Sequence, residues 1–192
     1  MSDFIFSHNP VLEAVNEIIS SVGSPPINSL NQLTNVDAID ALRMLMKTSR
    51  QVQSQGHAWN TQFNATLSPD STTNKIVYTS DIISIIGGTR LINKGGYFFD
   101  LDANSDRFIR PITVTELVRE FKFEDLPEAV QDYITVKTSR DFQRIKVTSP
   151  EVDQALAQRE AEALMRFNAL EIDMGNYNLY ENNQTVSSNQ SR

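Results

Sequence analysis

The sequence predicts an α+β protein. It is expected to be an antiparallel helical bundle formed by N- and C-terminal helices, with an inserted small antiparallel β module and an extended C-terminal tail. Three observations predict this. Apolar residues recur at three- and four-residue spacing near both ends of the chain. Between them, short runs rich in β-branched and aromatic residues alternate with Gly, Pro, Asp and Asn. After Gly175 sizeable apolar side chains become sparse. The expected division is 1–58 and 124–175 for the bundle, 59–123 for the β module and 176–192 for the tail.

The first helix is predicted from its punctuation. Asn9 suits the N-cap and Pro10 the first helical position. Val11, Leu12, Val15, Ile18, Ile19 and Val22 form one apolar stripe. Gly23 suits the left-handed residue past the helix end, and Pro25-Pro26 prevents resumption. In the second helix Asn35 caps and Asp37 complements the positive end of the dipole. Its buried stripe is expected at Val36, Ile39, Leu42, Leu45 or Met46, and Val52, with Gly56 as the stop.

The β module is read as five or six short strands. Thr61–Leu67 is followed by the turn Ser68-Pro69-Asp70, and Lys75–Tyr78 leads into Asp81–Ile86. Arg90–Asn93 and Tyr97–Leu101 flank Lys94-Gly95-Gly96, a hairpin signal. Phe108–Val114 and Glu116–Phe121 complete the set, with Pro111 marking an edge or bulge.

Helix returns at Asp125 and Pro127, carrying Val130, Tyr133, Ile134, Lys137 and Phe142. Ser149-Pro150-Glu151 starts a fourth helix with cap, first-position proline and first-turn acid in order. Val152, Leu156, Ala163, Phe167, Leu170 and Met174 carry it to Gly175. The segment beyond, rich in Asn, Gln and Ser, is too polar to fold alone.

Composition narrows the function. The 192 residues carry a formal charge of −7, contain no cysteine, and are 40% hydrophobic. That length suits one domain with an insertion and buries enough surface without disulfides or metals. Absent cysteine excludes thiolate catalysis, iron–sulfur clusters and cysteine-ligated zinc. No apolar run reaches the roughly 18–20 residues of a membrane span, and Met1–Phe6 lacks the basic region of a signal peptide. The acidic balance argues against a broad nucleic-acid grip, which needs clustered Lys and Arg.

Candidate chemistry is sparse. His8 and His57 have no ligand partners in sequence, and His57 beside Trp59 reads as a packing residue. No nucleophile elbow, phosphate loop or dinucleotide fingerprint is present. Arg140, Arg144 and Lys146 suit a helix C-terminus, with a small partner-facing or DNA-facing spot as the alternative. Asp100-Leu101-Asp102-Ala103-Asn104-Ser105-Asp106 matches the first half of a calcium loop but has Ser105 where glycine belongs and Pro111 where the bidentate Glu belongs. A polar turn is the favoured reading, with calcium binding as the alternative. Asp100 with Asp102 or Asp106 would serve as the acid pair of a glycan hydrolase. No catalytic residue, cofactor or metal ligand is assigned.

Six segments resemble one family in order and spacing. They are Ala14–Pro26, Ile92–Asp100, Asp106-Arg107-Phe108, Tyr133–Arg140, Pro150–Asp153 and Asp173–Asn178. The chain is similar to the tail tubular protein A family, the head-to-tail adaptors of short-tailed phages (podoviruses), from about Val11 to Tyr180; Asn60–Asp81 matches less well. The resemblance implies a non-enzymatic virion protein. It implies a dodecameric ring between the portal protein and the tail nozzle (tail tubular protein B), with viral DNA leaving through the lumen without sequence-specific binding. It implies a place in the virion tail, assembled in the bacterial host cytoplasm, with no membrane partner. The polar tail is then expected to dock on the portal through Tyr177, Leu179 and Tyr180, because aromatic anchors dominate interface energetics. A tail-associated glycan hydrolase using the acidic residues of the β module is the alternative.

Overall fold

The computed structural model describes residues 9–31 and 33–182, with side chains described through Gly175. The fold is α+β. The helices are α1 (Pro10–Ser20), α2 (Val36–Gln53), α3 (Glu128–Lys146) and α4 (Pro150–Asn182). The strands are β1 (Thr61–Leu67), β2 (Ile82–Ile86), β3 (Leu91–Lys94), β4 (Tyr97–Asp100) and β5 (Ile112–Arg119). Among the described residues the chain forms two compact units. The helical unit holds the residues up to Val52 and Lys122–Leu179; the β unit is built on Gln53–Phe121.

The helix ends follow from local chemistry. The Asn9 side chain accepts from the Leu12 N–H at 3.1 Å, satisfying one orphan donor of α1. At the other end Gly23 has φ +75°, its N–H donates to the Ser20 carbonyl, and the Ser24 N–H donates to the Ile19 carbonyl. Those two bonds form a Schellman cap, which a left-handed glycine makes cheap. Val15, Ile18 and Ile19 are fully buried on the core face. Each contributes about 1.5–3 kcal/mol of hydrophobic stabilisation. Helix α1 packs on α3. Asn35 caps α2 by accepting from the Asp37 and Ala38 N–H groups.

The buried face of α2 keeps the expected Leu45 and Val52 but otherwise differs from the expected one. Val36 is 67% exposed and Met46 41%, whereas Ala38, Ala41, Leu45, Thr48, Ser49 and Val52 are buried. The face is rotated toward small side chains. In α3, Val130, Ile134, Thr135, Val136, Thr138, Ser139, Phe142 and Gln143 are all buried, covering about two-thirds of its circumference at 3.6 residues per turn. It is therefore a central helix. Its buried hydroxyls bond back along the helix, Thr138 to the Ile134 carbonyl and Ser139 to the Thr135 carbonyl, so none is buried unpaired. A short 3-10 turn, Phe123–Asp125, precedes it.

Helix α4 is one-sided. Leu156, Ala163 and Phe167 are buried, and Phe167 meets Tyr133 of α3 with ring centroids 5.2 Å apart. Val152 and Met174, expected on that stripe, are 36% and 38% exposed. The backbone remains helical through Gly175 to Asn182, where an extended tail was expected from 176. Gly175 does not take a positive φ, and a glycine stops a helix through the left-handed conformation, not by its mere presence.

In the β unit the sheet order is β1-β5-β2, both pairings antiparallel, beside a two-stranded β3-β4 hairpin. Gly95 and Gly96 form its two-residue turn with φ +63° and +83°, as a type I′ geometry demands. Two expectations fail here. Phe108–Val114 and Glu116–Phe121 are not separate strands; the single strand β5 runs across both, beginning after Pro111. Phe108 instead plugs the core, held by its N–H to the Asn74 carbonyl. Lys75–Tyr78 forms only an isolated bridge, Val77 with Tyr97. The core gathers Ala65, Ile76, Ile82, Phe98, Phe108, Val114 and Leu117. At Gly87 a Cβ would stand 2.0 Å from the Thr115 hydroxyl, so only glycine lets the chain cross β5 there.

Candidate functional site

The acidic turn between β4 and β5 is built as a turn. Asp100 is buried, and its Oδ1 accepts from the N–H groups of Asp102 (2.8 Å) and Ala103 (3.0 Å). Asn104 takes φ +51°, and Asp100 and Ser105 exchange backbone hydrogen bonds. The other carboxylates are engaged from outside the turn. Arg90 donates to Asp102 at 2.8 Å, and Lys75 pairs with Asp106 at 2.6 Å. Hydrogen bonding to Arg90 holds the Asp102 carboxyl below the usual carboxylate range, and hydrogen bonding to Lys75 does the same to Asp106. A glycosidase acid needs the opposite shift, upward, to carry a proton at neutral pH. A cation would have to displace Arg90 and Lys75 from their partners. Among the described residues no three metal-capable side chains come together.

His57 lies flat on Trp59, centroids 5.4 Å apart and planes within 8°. Its backbone N–H donates to the Asn60 side chain. His8 lies outside the described residues.

The basic residues at the end of α3 are spent on the fold. Arg140 bonds Asp153 at 2.9 Å and Glu160 at 2.8 Å, and Arg144 bonds Asp153 at 2.7 Å. Lys137 approaches Glu160 at 3.4 Å, and Lys146 pairs with Asp37 and Asp40 of α2. Hydrogen bonds from Arg140, then from Arg144, hold Asp153 down to about 2, and the Arg140 guanidinium is held charged in return. The cluster therefore ties α3 to α4 and to α2. Further along, Arg166 of α4 pairs with Asp132 of α3.

Two clefts open on the helical unit. One, of about 460 Å³, is lined by Glu13, Glu17, Glu124, Glu128 and Asp132 beside Pro10 and Leu126. Its charge is the wrong sign for a nucleotide or a DNA phosphate. The other, of about 350 Å³, lies between α2 and α3 and is lined by Met44, Lys47, Thr48, Gln51, Asp141, Arg144 and Ile145.

The most consequential polar residues of the β unit carry no sequence signal. Gln53 is fully buried; its amide accepts from the Phe121 N–H (2.7 Å) and donates to the Phe121 carbonyl (3.0 Å). Asn60, 3% exposed, donates to the carbonyls of Gln53 (2.8 Å) and Arg119 (3.0 Å). Two side-chain amides thus clasp the incoming and outgoing segments of the module. The expected docking residues Tyr177, Leu179 and Tyr180 lie on the helical backbone of α4, but their side chains fall outside the described residues.

The described residues define an α+β protein whose polar chemistry holds its own fold together and assembles no catalytic constellation among them. The chain belongs to the tail tubular protein family, whose model it matches over residues 12–177. It is accordingly a structural protein of the phage tail, whose partners are other tail and portal components. No curated protein matches the chain. No helix among the described residues is long and apolar enough to cross a membrane.

Proposed function

We propose that the chain is the head-to-tail adaptor. Twelve copies form a ring that joins the portal to the tail nozzle, tail tubular protein B, and lines part of the channel through which DNA is ejected. The observation that carries this reading is the family match over residues 12–177, which runs through both the helical and the β unit. The charge supports it. A chain of net −7 repels DNA phosphates and favours passage over retention. Assembly takes place in the bacterial host cytoplasm, where a protein without cysteine depends on non-covalent interfaces. Light scattering followed by negative-stain imaging with the portal tests the reading. The expected result is a twelvefold ring seated on the portal. A monomer that persists with the portal present overturns it.

The C-terminal end of the chain docks on the portal through Tyr177, Leu179 and Tyr180. Truncation after Gly175 is expected to weaken portal binding at least tenfold. Unchanged affinity in a binding titration would refute the assignment of those three residues.

A further inference from the structure

Helix α4 carries a second apolar face that the helical unit leaves uncovered. Ala161, Met165, Ala169 and Ile172 follow one another at four, four and three residues, making one strip about 16 Å long. Met165 is 64% exposed and Ile172 62%. The buried line of Leu156, Ala163 and Phe167 lies on the opposite side of the same helix and meets α3 through Phe167. The outer strip therefore faces away from α3. Glu162 and Asp173, both exposed, flank it.

The groove between α2 and α3 is the counterpart. Its wall is Ile145, 69% exposed, and its floor holds Met44. Lys47 and Arg144 line it against one acid, Asp141, and Arg43 stands one turn before Lys47 on the exposed side of α2. Exposed methionines provide adaptable apolar contact. An acid-flanked apolar strip and a groove that sets Met44 and Ile145 beside a net basic edge are complementary in charge and in character. They cannot meet within one copy, because the groove includes α3 and the strip faces away from it.

We infer that the occupant of the α2–α3 groove is the outer strip of α4 from a second copy of this chain. One face meets a different face, so the contact is heterologous. It propagates, closing into a ring if the rotation permits. This deepens the adaptor reading, and rests on it for ring closure, by naming the faces through which neighbours touch.

The chain has no cysteine, so introduced thiols are the only ones present. Under mild oxidation the full chain carrying Ile145→Cys and Met165→Cys is expected to give a covalent ladder extending beyond the dimer. Either single substitution is expected to give no covalent dimer, because neither residue faces its own copy. Met165→Asp is expected to weaken self-association at least tenfold by sedimentation, with an unchanged melting temperature because the side chain is exposed. A ladder absent from the double variant while the wild type still forms rings on the portal overturns these faces and leaves the adaptor reading standing. Dimers from a single variant also overturn them. A wild type that does not associate with itself, alone or with the portal, overturns both.

Discussion

The two units stabilise themselves by different means. In the helical unit the outer contacts are ionic: Asp153 receives Arg140 and Arg144, Glu160 receives Arg140 and Lys137, and Lys146 reaches Asp37 and Asp40. In the β unit ion pairs (Arg119 with Asp81, Arg90 with Asp102, Lys75 with Asp106) are joined by neutral contacts from the buried side chains of Gln53 and Asn60 to backbone groups of Phe121 and Arg119. The difference has a physical origin. Long helices present charged side chains at matching heights across an interface, where ion pairs keep partial access to water. The segments that enter and leave a small sheet carry, besides any ion pairs, backbone groups that must be satisfied once buried. Both units carry depressed carboxylates, Asp153 in the helical unit and Asp81, Asp102 and Asp106 in the β unit, so both respond to acid, and the β unit is in addition sensitive to loss of a single amide.

The largest expected effect separates the units outright. Phe98 and Phe142 are both fully buried, one in each unit. Replacing either with Ala is expected to cost about 3–5 kcal/mol. Hydrogen exchange should show Phe98→Ala deprotecting β1 to β5 while α1, α3 and α4 stay protected, and Phe142→Ala doing the reverse. Global deprotection by either variant would erase the distinction. Next comes Gln53→Ala, which removes the partner of the part-buried Phe121 N–H and carbonyl. About 1–3 kcal/mol is expected, with the Phe121 amide exchanging faster than its neighbours.

A smaller effect lies in the pH dependence of the helical unit. Asp153 is held at about 2, below its ordinary value of 3.8. A depressed acid contributes stability that is present above its unfolded value and lost as pH falls through the folded one. The denaturation midpoint of the helical unit is therefore expected to drop between about pH 4 and pH 2, and Asp153→Asn to flatten that slope. A slope unaltered by the substitution would remove Asp153 from the account. The smallest effect concerns the acidic turn. With Asp102 held by Arg90 and Asp106 by Lys75, adding calcium or chelator is expected to leave the melting curve unchanged. A rise with calcium would reinstate the turn as a cation site.

Sequence legibility varied with how local the deciding contacts are. Helix α1 was readable because Asn9, Pro10, its stripe and Gly23 fall within one short segment and all act on that segment. The face of α2 was not, because Ala38 and Ala41 are buried by tertiary packing, and hydrophobicity alone ranks Val36 above them. The strand β5 was split because Phe108 is as β-prone as Ile112, yet its side chain fills the core from a bend. Gly175 misled for a related reason, since its conformation depends on the chain around it. The acidic turn was legible down to its turn chemistry, but its partners Arg90 and Lys75 were not. The Gln53 and Asn60 clasp was invisible: Gln53 bonds a backbone group 68 residues away, and no side-chain pattern marks such an acceptor.

That clasp has a consequence for how the protein changes over time. Because Gln53 and Asn60 hold the module's two ends to each other, the spacing between those ends does not depend on what lies between them. Extra residues in the hairpin or in the turn near Asn74 add closure entropy that grows only logarithmically with length. Insertions within the β module are thus expected to leave the spacing of its two ends unchanged, because two amides fix its base.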